Sequence, residues 1–397
     1  MSSRICDEPR SPRESSSPAS GIRPSPLRGE GCEIGDDGEG KSRQGRGRKV
    51  TLRRPEDLVA AGLVPPERLP EIAAVAREFA ISVTPAMAEL VDPADPADPI
   101  AAQFVPSAAE LATAPEERQD PIGDERHSPI KGIVHRYPDR VLLKPVHVCP
   151  VYCRFCFRRE AVGPGGEALS SDELTAALDY IRARPQIWEV IITGGDPLML
   201  APRRLREIVA ALDTIPHLGV IRLHSRVPIV APERVTEALV ASLEAEKAVF
   251  LVLHANHPRE LAPAARAACR RLGRAGIALL GQTVLLKGVN DDPATLTSLL
   301  RGLVAMRVKP YYLHHADLAR GTSRFRTSIE RGQELMRSLR GHVSGLCQPS
   351  YVLDIPGGYG KAPIGPTYLE SAGDGTWRVE DFRGARHAYP PPGDEPA

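Results

Sequence analysis

From about residue 140 onward, apolar strand-like runs alternate with helix-like stretches, and this rhythm constrains the fold of the 397-residue chain most strongly. The strand-like runs fall at 140–147, 188–193, 220–224, 249–254, 278–286 and 308–314. The helical patterns between them fall at 172–183, 204–212, 234–244, 261–275 and 295–306. Ser170 and Glu173 form a capping box ahead of the first helix. Six alternations joined by short loops imply parallel strands and right-handed crossovers. Such an α/β unit either closes partway into a (β/α)6 barrel or stays open as a doubly wound sheet. In both cases reactive groups belong at the C-terminal ends of the strands.

The flanks read differently. Residues 1–50 are rich in Ser, Pro, Gly, Arg and Glu, and are expected to form a disordered tail. Short helical patterns broken by prolines fill a helical N-terminal region at 51–130. The barrel unit is placed at 131–340, a C-terminal segment carrying Lys361 at 341–372, and a polar tail at 373–397. A 42% hydrophobic content suffices for a sizeable core, and a net charge of +1 gives no case for nucleic-acid or membrane binding. Neither an apolar run of spanning length nor a secretory signal is visible. The seven cysteines do not suggest a disulfide framework, so the expected compartment is the cytoplasm.

Cys149, Cys153 and Cys156 follow the first strand with C-x3-C-x2-C spacing. Three thiolates hold three of the four irons of a cubane cluster, and the open iron binds a substrate, which makes the cluster a reaction centre. The alternative is a partial zinc site, but zinc favours four ligands in paired knuckles and no second pair exists. The other four cysteines, Cys6, Cys32, Cys269 and Cys347, read as ordinary unligated thiols.

Further constellations each have a plain alternative. Gly194, Gly195 and Asp196 end the second strand in a Gly-Gly-Asp-Pro turn, either a simple turn or a close approach to a ligand. Arg136, Tyr137 and Arg140 could grip a phosphate or form a surface salt-bridged turn. Lys361 closes a glycine-rich stretch that is no P-loop; it is either an exposed lysine or one that bonds a carbonyl cofactor. Asp317 and Asp354 would pair two carboxylates suited to an ammonium group, while Arg158 could take a carboxylate at the other end. Each of these could instead be a capping charge.

Together these motifs resemble the radical S-adenosylmethionine (SAM) superfamily, and more specifically the lysine 2,3-aminomutase family, over about residues 51–370. The match includes 136–140, 149–159, 193–197, 254–258, 282–291, 311–317 and 354–361. The resemblance implies a partial (β/α)6 barrel whose three cysteines hold a [4Fe–4S] cluster. It implies SAM on the open iron near Gly194, Gly195 and Asp196, with His254 and Gln282 as further contacts. It implies pyridoxal 5′-phosphate (PLP) on Lys361, with Arg136, Tyr137 and Arg140 around its phosphate. Arg158 would hold the substrate carboxylate, and Asp317 and Asp354 the side-chain ammonium of L-lysine. The implied reaction moves the amino group from C2 to C3, giving β-lysine, with a reductase, flavodoxin or ferredoxin as electron donor.

Two departures from the clostridial-type pattern stand out. No cysteine follows Cys347, so no C-terminal zinc site is expected, and the question of a homo-oligomer stays open. His314 stands where those enzymes have tyrosine, as in the branch that makes β-lysine for translation elongation factor P. Asp354 is absent from that branch. The rivals are therefore a supplier for elongation factor P, an aminomutase for another amino acid such as glutamate, and a non-catalytic iron–sulfur protein.

Overall fold

The computed structural model describes residues 50–373 and 375–390. The expected N-terminal tail, with Cys6 and Cys32, lies outside the described residues apart from Val50. Four short helices, Pro55–Ala60, Leu69–Ala76, Pro85–Ala88 and Pro99–Phe104, precede the sheet. Each has proline in its first turn, where the missing N–H is no loss. Leu58, Ile72, Met87, Ile100 and Phe104 from these helices are buried in the same core as the sheet.

The nine-stranded sheet runs in sequence order. Its strands are β1 (Ile133–Tyr137), β2 (Arg140–Val146), β3 (Glu189–Gly194), β4 (Val220–Ser225), β5 (Ala248–His254), β6 (Ala278–Leu285), β7 (Lys309–His315), β8 (Ser350–Ile355) and β9 (Gly360–Pro363). Neighbours from β2 through β8 pair in parallel, and β1 and β9 add antiparallel edges. The parallel-rich sheet curls into a nearly closed barrel with helices outside, which settles the choice between barrel and open sheet. The apolar run after residue 350 supplies one more parallel strand than the six alternations had indicated.

Crossover helices fit the expected pattern closely. Helix Ser171–Arg182 carries the Ser170–Glu173 capping box and buries Leu174, Ala177, Leu178 and Ile181 at helical spacing. The helix expected at 234–244 is shorter, Glu237–Ala241, because the Thr236 side chain accepts the Leu239 amide and caps it there. Along β4, Ile221 and Leu223 pack outward into the core, so Arg222 and His224 face the barrel interior. The interior is thus polar where the outer layer is aliphatic.

Two differences from the sequence reading concern the edges. Arg136–Arg140 is not a lead-in to the first strand but a hairpin turn, with Tyr137 paired to Arg140 across β1 and β2. Past β9, strands Leu369–Ser371, Trp377–Glu380 and Arg386–Tyr389 form a separate antiparallel meander, the last two of them in the stretch expected to be a polar tail. Alternation of Trp377 and Val379 with charged residues drives it. Among the described residues no helix is long and apolar enough to cross a membrane.

Candidate active site

The three cysteines lie on the loop that leaves the C-terminal end of β2. Backbone hydrogen bonds from Tyr152 to Ser82 (2.9 Å) and from Arg154 to Gln103 (2.8 Å) pin this loop to the N-terminal helical region. Arg154 and Arg159 both reach the buried Glu110, each with a 2.5 Å contact. Burial pushes the Cys149 thiol well above its usual range, and the nearby acid Asp196 and the other two thiols add to it. Burial and the charge of Cys153 push Cys156 up to about 11. Thiols crowded this way ionise readily only when a cation compensates them. Among the described residues no three His, Cys, Asp or Glu side chains close on a single metal ion. A cubane places each thiolate on a different iron and does not need that closure.

The Gly-Gly-Asp-Pro turn ends β3 beside this loop. A Cβ at Gly195 would meet the Val148 carbonyl oxygen at 2.5 Å and the His147 carbonyl carbon at 2.6 Å. The backbone of the cysteine loop therefore requires this glycine, which accounts for the turn, one of the two roles the sequence had left open. Asp196 is buried and accepts from Ser225 Oγ (2.7 Å) and from the amides of Leu198 (3.0 Å), Arg226 (2.7 Å) and Val227 (3.1 Å). Its carboxylate ties β3 to β4.

Across the barrel, His254, Gln282 and Tyr312 occupy one register row of β5, β6 and β7. His254 Nε2 lies 2.9 Å from Asn256 Oδ1. Burial, with the charge of Arg226, holds this imidazole well below its usual range and so neutral.

At the seam between β9 and β1 lies Lys361. The sequence placed it on a flexible loop; it stands instead in β9, paired in register with Asp354. The hairpin turn between them needs its glycines, since Gly357 and Gly358 have φ of 87° and Gly360 of 96°. Lys361 Nζ donates to both oxygens of Asp354 at 2.5 and 2.6 Å, and its amide donates to Tyr137 Oη at 2.8 Å. His314 Nδ1 lies 3.5 Å from Asp354.

Asp317, just past β7, completes the acidic pair. Its Oδ1 is buried with no hydrogen-bond partner. Burial and the charge of Asp354 push its carboxyl up to about 8. Asp354 is also buried, but His314 and Lys361 more than offset that and hold it well below the usual carboxylate range. The pair thus carries one charge, on Asp354, and Asp317 keeps the proton.

Within the protein the three arginines divide between two acidic partners, Asp124 and Asp139. Arg158 pairs with Asp124 at 2.9 Å, and Arg136 reaches the other oxygen of Asp124 at 3.1 Å and the Ile122 carbonyl at 2.7 Å. Arg140 instead stacks over the Tyr137 ring, 4.0 Å from its centroid, and pairs with Asp139 at 2.7 Å. Arg136 and Arg140 therefore do not converge on one partner, because Asp124 draws Arg136 toward Arg158.

Several site residues escaped the sequence reading. Asp124 sits in a stretch without periodicity, and only its charge could have flagged it. Arg226 donates from Nη1 to Cys153 Sγ at 2.9 Å. His224 Nε2 is buried without a partner, and burial with the charges of Arg222 and Lys361 keeps the ring neutral. For Arg226 and His224 the available signal was a strand end rich in polar residues.

Residues 143–299 match the radical SAM superfamily, and residues 336–396 match the family described as lysine-2,3-aminomutase. An L-lysine 2,3-aminomutase of Clostridium subterminale is 40% identical over 81% of this chain and 77% of its own length. One from Acetoanaerobium sticklandii is 41% identical over 79% of this chain and 75% of its own. A glutamate 2,3-aminomutase of Clostridioides difficile is 37% identical over 75% and 71%. Kinship of this kind implies a [4Fe–4S] cluster, SAM and PLP as cofactors. The site suits such groups: three thiols share one loop, a lysine amine stands beside an acidic pair, and a buried carboxylate oxygen lacks a partner. Likeness on this scale, in both parts of the chain, shows that the protein belongs to the lysine 2,3-aminomutase family of radical SAM enzymes, a family of isomerases.

Proposed function

We propose that the chain moves the amino group of L-lysine from C2 to C3 to give β-lysine. The observation that carries this reading is the buried acidic pair, with the unpartnered Asp317 Oδ1 beside Asp354. A lysine ammonium supplies the missing donor, whereas a glutamate side-chain carboxylate would meet like charge in a buried site. The glutamate enzyme among the relatives is thus the less suitable guide to the substrate.

In this reading Cys149, Cys153 and Cys156 hold the cluster, and SAM lies near Gly194 and Gly195 with His254 and Gln282 as contacts. Asp196 acts by fixing the turn, its carboxylate being filled by protein donors. Lys361 holds PLP, with Tyr137, Arg140 and Arg136 on the phosphate side. When bound, the cluster and SAM supply a hydrogen-abstracting radical, and PLP supplies a carbonyl and a delocalising ring. Everything else falls to this chain's side chains. Arg158 turns from Asp124 to the substrate carboxylate. Asp354 gives up Lys361 Nζ and, with Asp317, takes the side-chain ammonium. A flavodoxin or ferredoxin with its reductase would donate the electron, in the cytoplasm.

His314 matches the branch that makes β-lysine for elongation factor P, the same chemistry with a different destination, whereas Asp354 departs from that branch. The test is mass spectrometry with chiral separation after incubating reduced, reconstituted holoenzyme with L-lysine, L-glutamate and other amino acids. β-Lysine from L-lysine alone is the expected result, and its configuration separates the two destinations. β-Glutamate without β-lysine overturns the reading.

A further inference from the structure

We propose that Arg226 is a positioning residue that sets the reduction potential of the iron–sulfur cluster through a hydrogen bond to the Cys153 sulfur. The inference rests on the reading of Cys153 as a cluster ligand. Arg226 follows the C-terminal end of β4 and is buried. Its Nη1 donates to Cys153 Sγ at 2.9 Å. Its Nη2 donates to Gln103 Oε1 and Glu260 Oε2, both at 2.7 Å. Its backbone amide donates to Asp196 Oδ2 at 2.7 Å. The guanidinium also lies 4.6 Å from the Phe104 ring centroid and 5.2 Å from that of Phe155.

The anchors are themselves locked. Glu260 is fully buried, and its Oε1 accepts the amides of Asn256 and His257, both at 2.9 Å. Gln103 donates to Glu260 at 3.1 Å and accepts from Asn256 Nδ2 at 3.0 Å. Asn256 in turn holds His254. Gln103 belongs to the N-terminal helices, Arg226 to the end of β4, and Glu260 to the segment after β5. Three separate parts of the chain thus converge to aim one planar donor at one sulfur. A purely structural pair with Glu260 would not need Nη1 on the thiol.

The effect follows from charge. One-electron reduction by an external donor adds negative charge that spreads onto the ligand sulfurs. A charge-assisted N–H···S bond stabilises that form more than the oxidised one, so it raises the potential. Low dielectric around the buried group strengthens the effect. Glu260 lowers it in part, which makes the pair a tuned device rather than a bare cation.

The test is an EPR-monitored redox titration of the reconstituted cluster, with iron and sulfide counted in every sample. Arg226→Met alone would strand Glu260, so the informative variant is Arg226→Met with Glu260→Gln. We expect its ratio of reduced to oxidised cluster, at the wild-type midpoint, to fall about tenfold, equal to about 59 mV for one electron. Arg226→Lys, which keeps the charge and one donor, should recover most of that shift. A double variant with full iron content that titrates at the wild-type potential overturns the inference. If the double variant loads no cluster, Glu260→Gln alone decides, with a raised potential expected and an unchanged one fatal. Failure of the wild-type protein to bind iron would instead refute the assignment of the cysteines.

Discussion

Asp317 and Asp354 share one negative charge because two buried carboxylates cannot both ionise at close range. Lys361 and His314 stand on Asp354, so Asp317 holds the proton. The folded protein keeps this proton up to about pH 8, whereas the unfolded chain gives it up near pH 4. Stability therefore falls as pH rises between those values. Asp317→Asn removes that slope and should stabilise the cofactor-free protein at pH 7 by about 0.5–2 kcal/mol. The gain should shrink toward pH 4 in thermal melts, and the same variant should lose turnover of lysine. Cys149, Cys153 and Cys156 could be singled out in the sequence because their spacing is local, and Lys361 because it closes a glycine-rich stretch. Asp124 and Arg226 were not, since their partners lie far along the chain, up to 123 residues for Arg226 and Gln103.

At the level of elements, the strand–helix alternation was legible because each crossover helix has a clear apolar face and each strand an apolar run. The hairpins at both edges were not. The β1–β2 turn hid inside a motif read as a phosphate grip, and the β8–β9 turn looked like a free loop. Both matter, because Tyr137 of β1 meets the Lys361 amide of β9 across the seam of the barrel. The turn after β3 is equally constrained. Gly195→Ala places a methyl 2.5 Å from the Val148 oxygen, against backbone that cannot swing aside. We expect a loss of about 1–3 kcal/mol, as for other overpacked sites, together with displacement of the cysteine loop. Equilibrium binding of SAM to the iron-loaded variant should weaken at least tenfold. Unchanged SAM affinity would separate the turn from the SAM site.

The whole molecule places its chemistry between a barrel and a cap of short helices, and Glu110 joins the two. Burial alone would raise its carboxyl, but Arg154, Arg324 and Arg159 more than offset that and hold it below its usual value. Its contribution is therefore present above about pH 4 and is lost as the pH falls through its depressed folded value. Glu110→Ala would leave Arg154 and Arg159 buried without their counter-charge, at a cost of about 3–5 kcal/mol in chemical denaturation. Iron retention should fall with it, since both arginines flank the cysteines. The fold class, the barrel and the family were thus readable from one sequence, while the clamp, which depends on residues far apart in the chain, was not.

The central claim is that a radical raised beside the cysteine loop acts on lysine held at Lys361 and shifts its amino group within one molecule. L-Lysine carrying 15N only at the α-amino group tests it most directly. With reduced, iron-loaded enzyme, SAM and PLP, the account predicts β-lysine that retains the full label, now on the nitrogen at C3. Label lost to free ammonia, or no β-lysine from enzyme with an intact cluster, would contradict it.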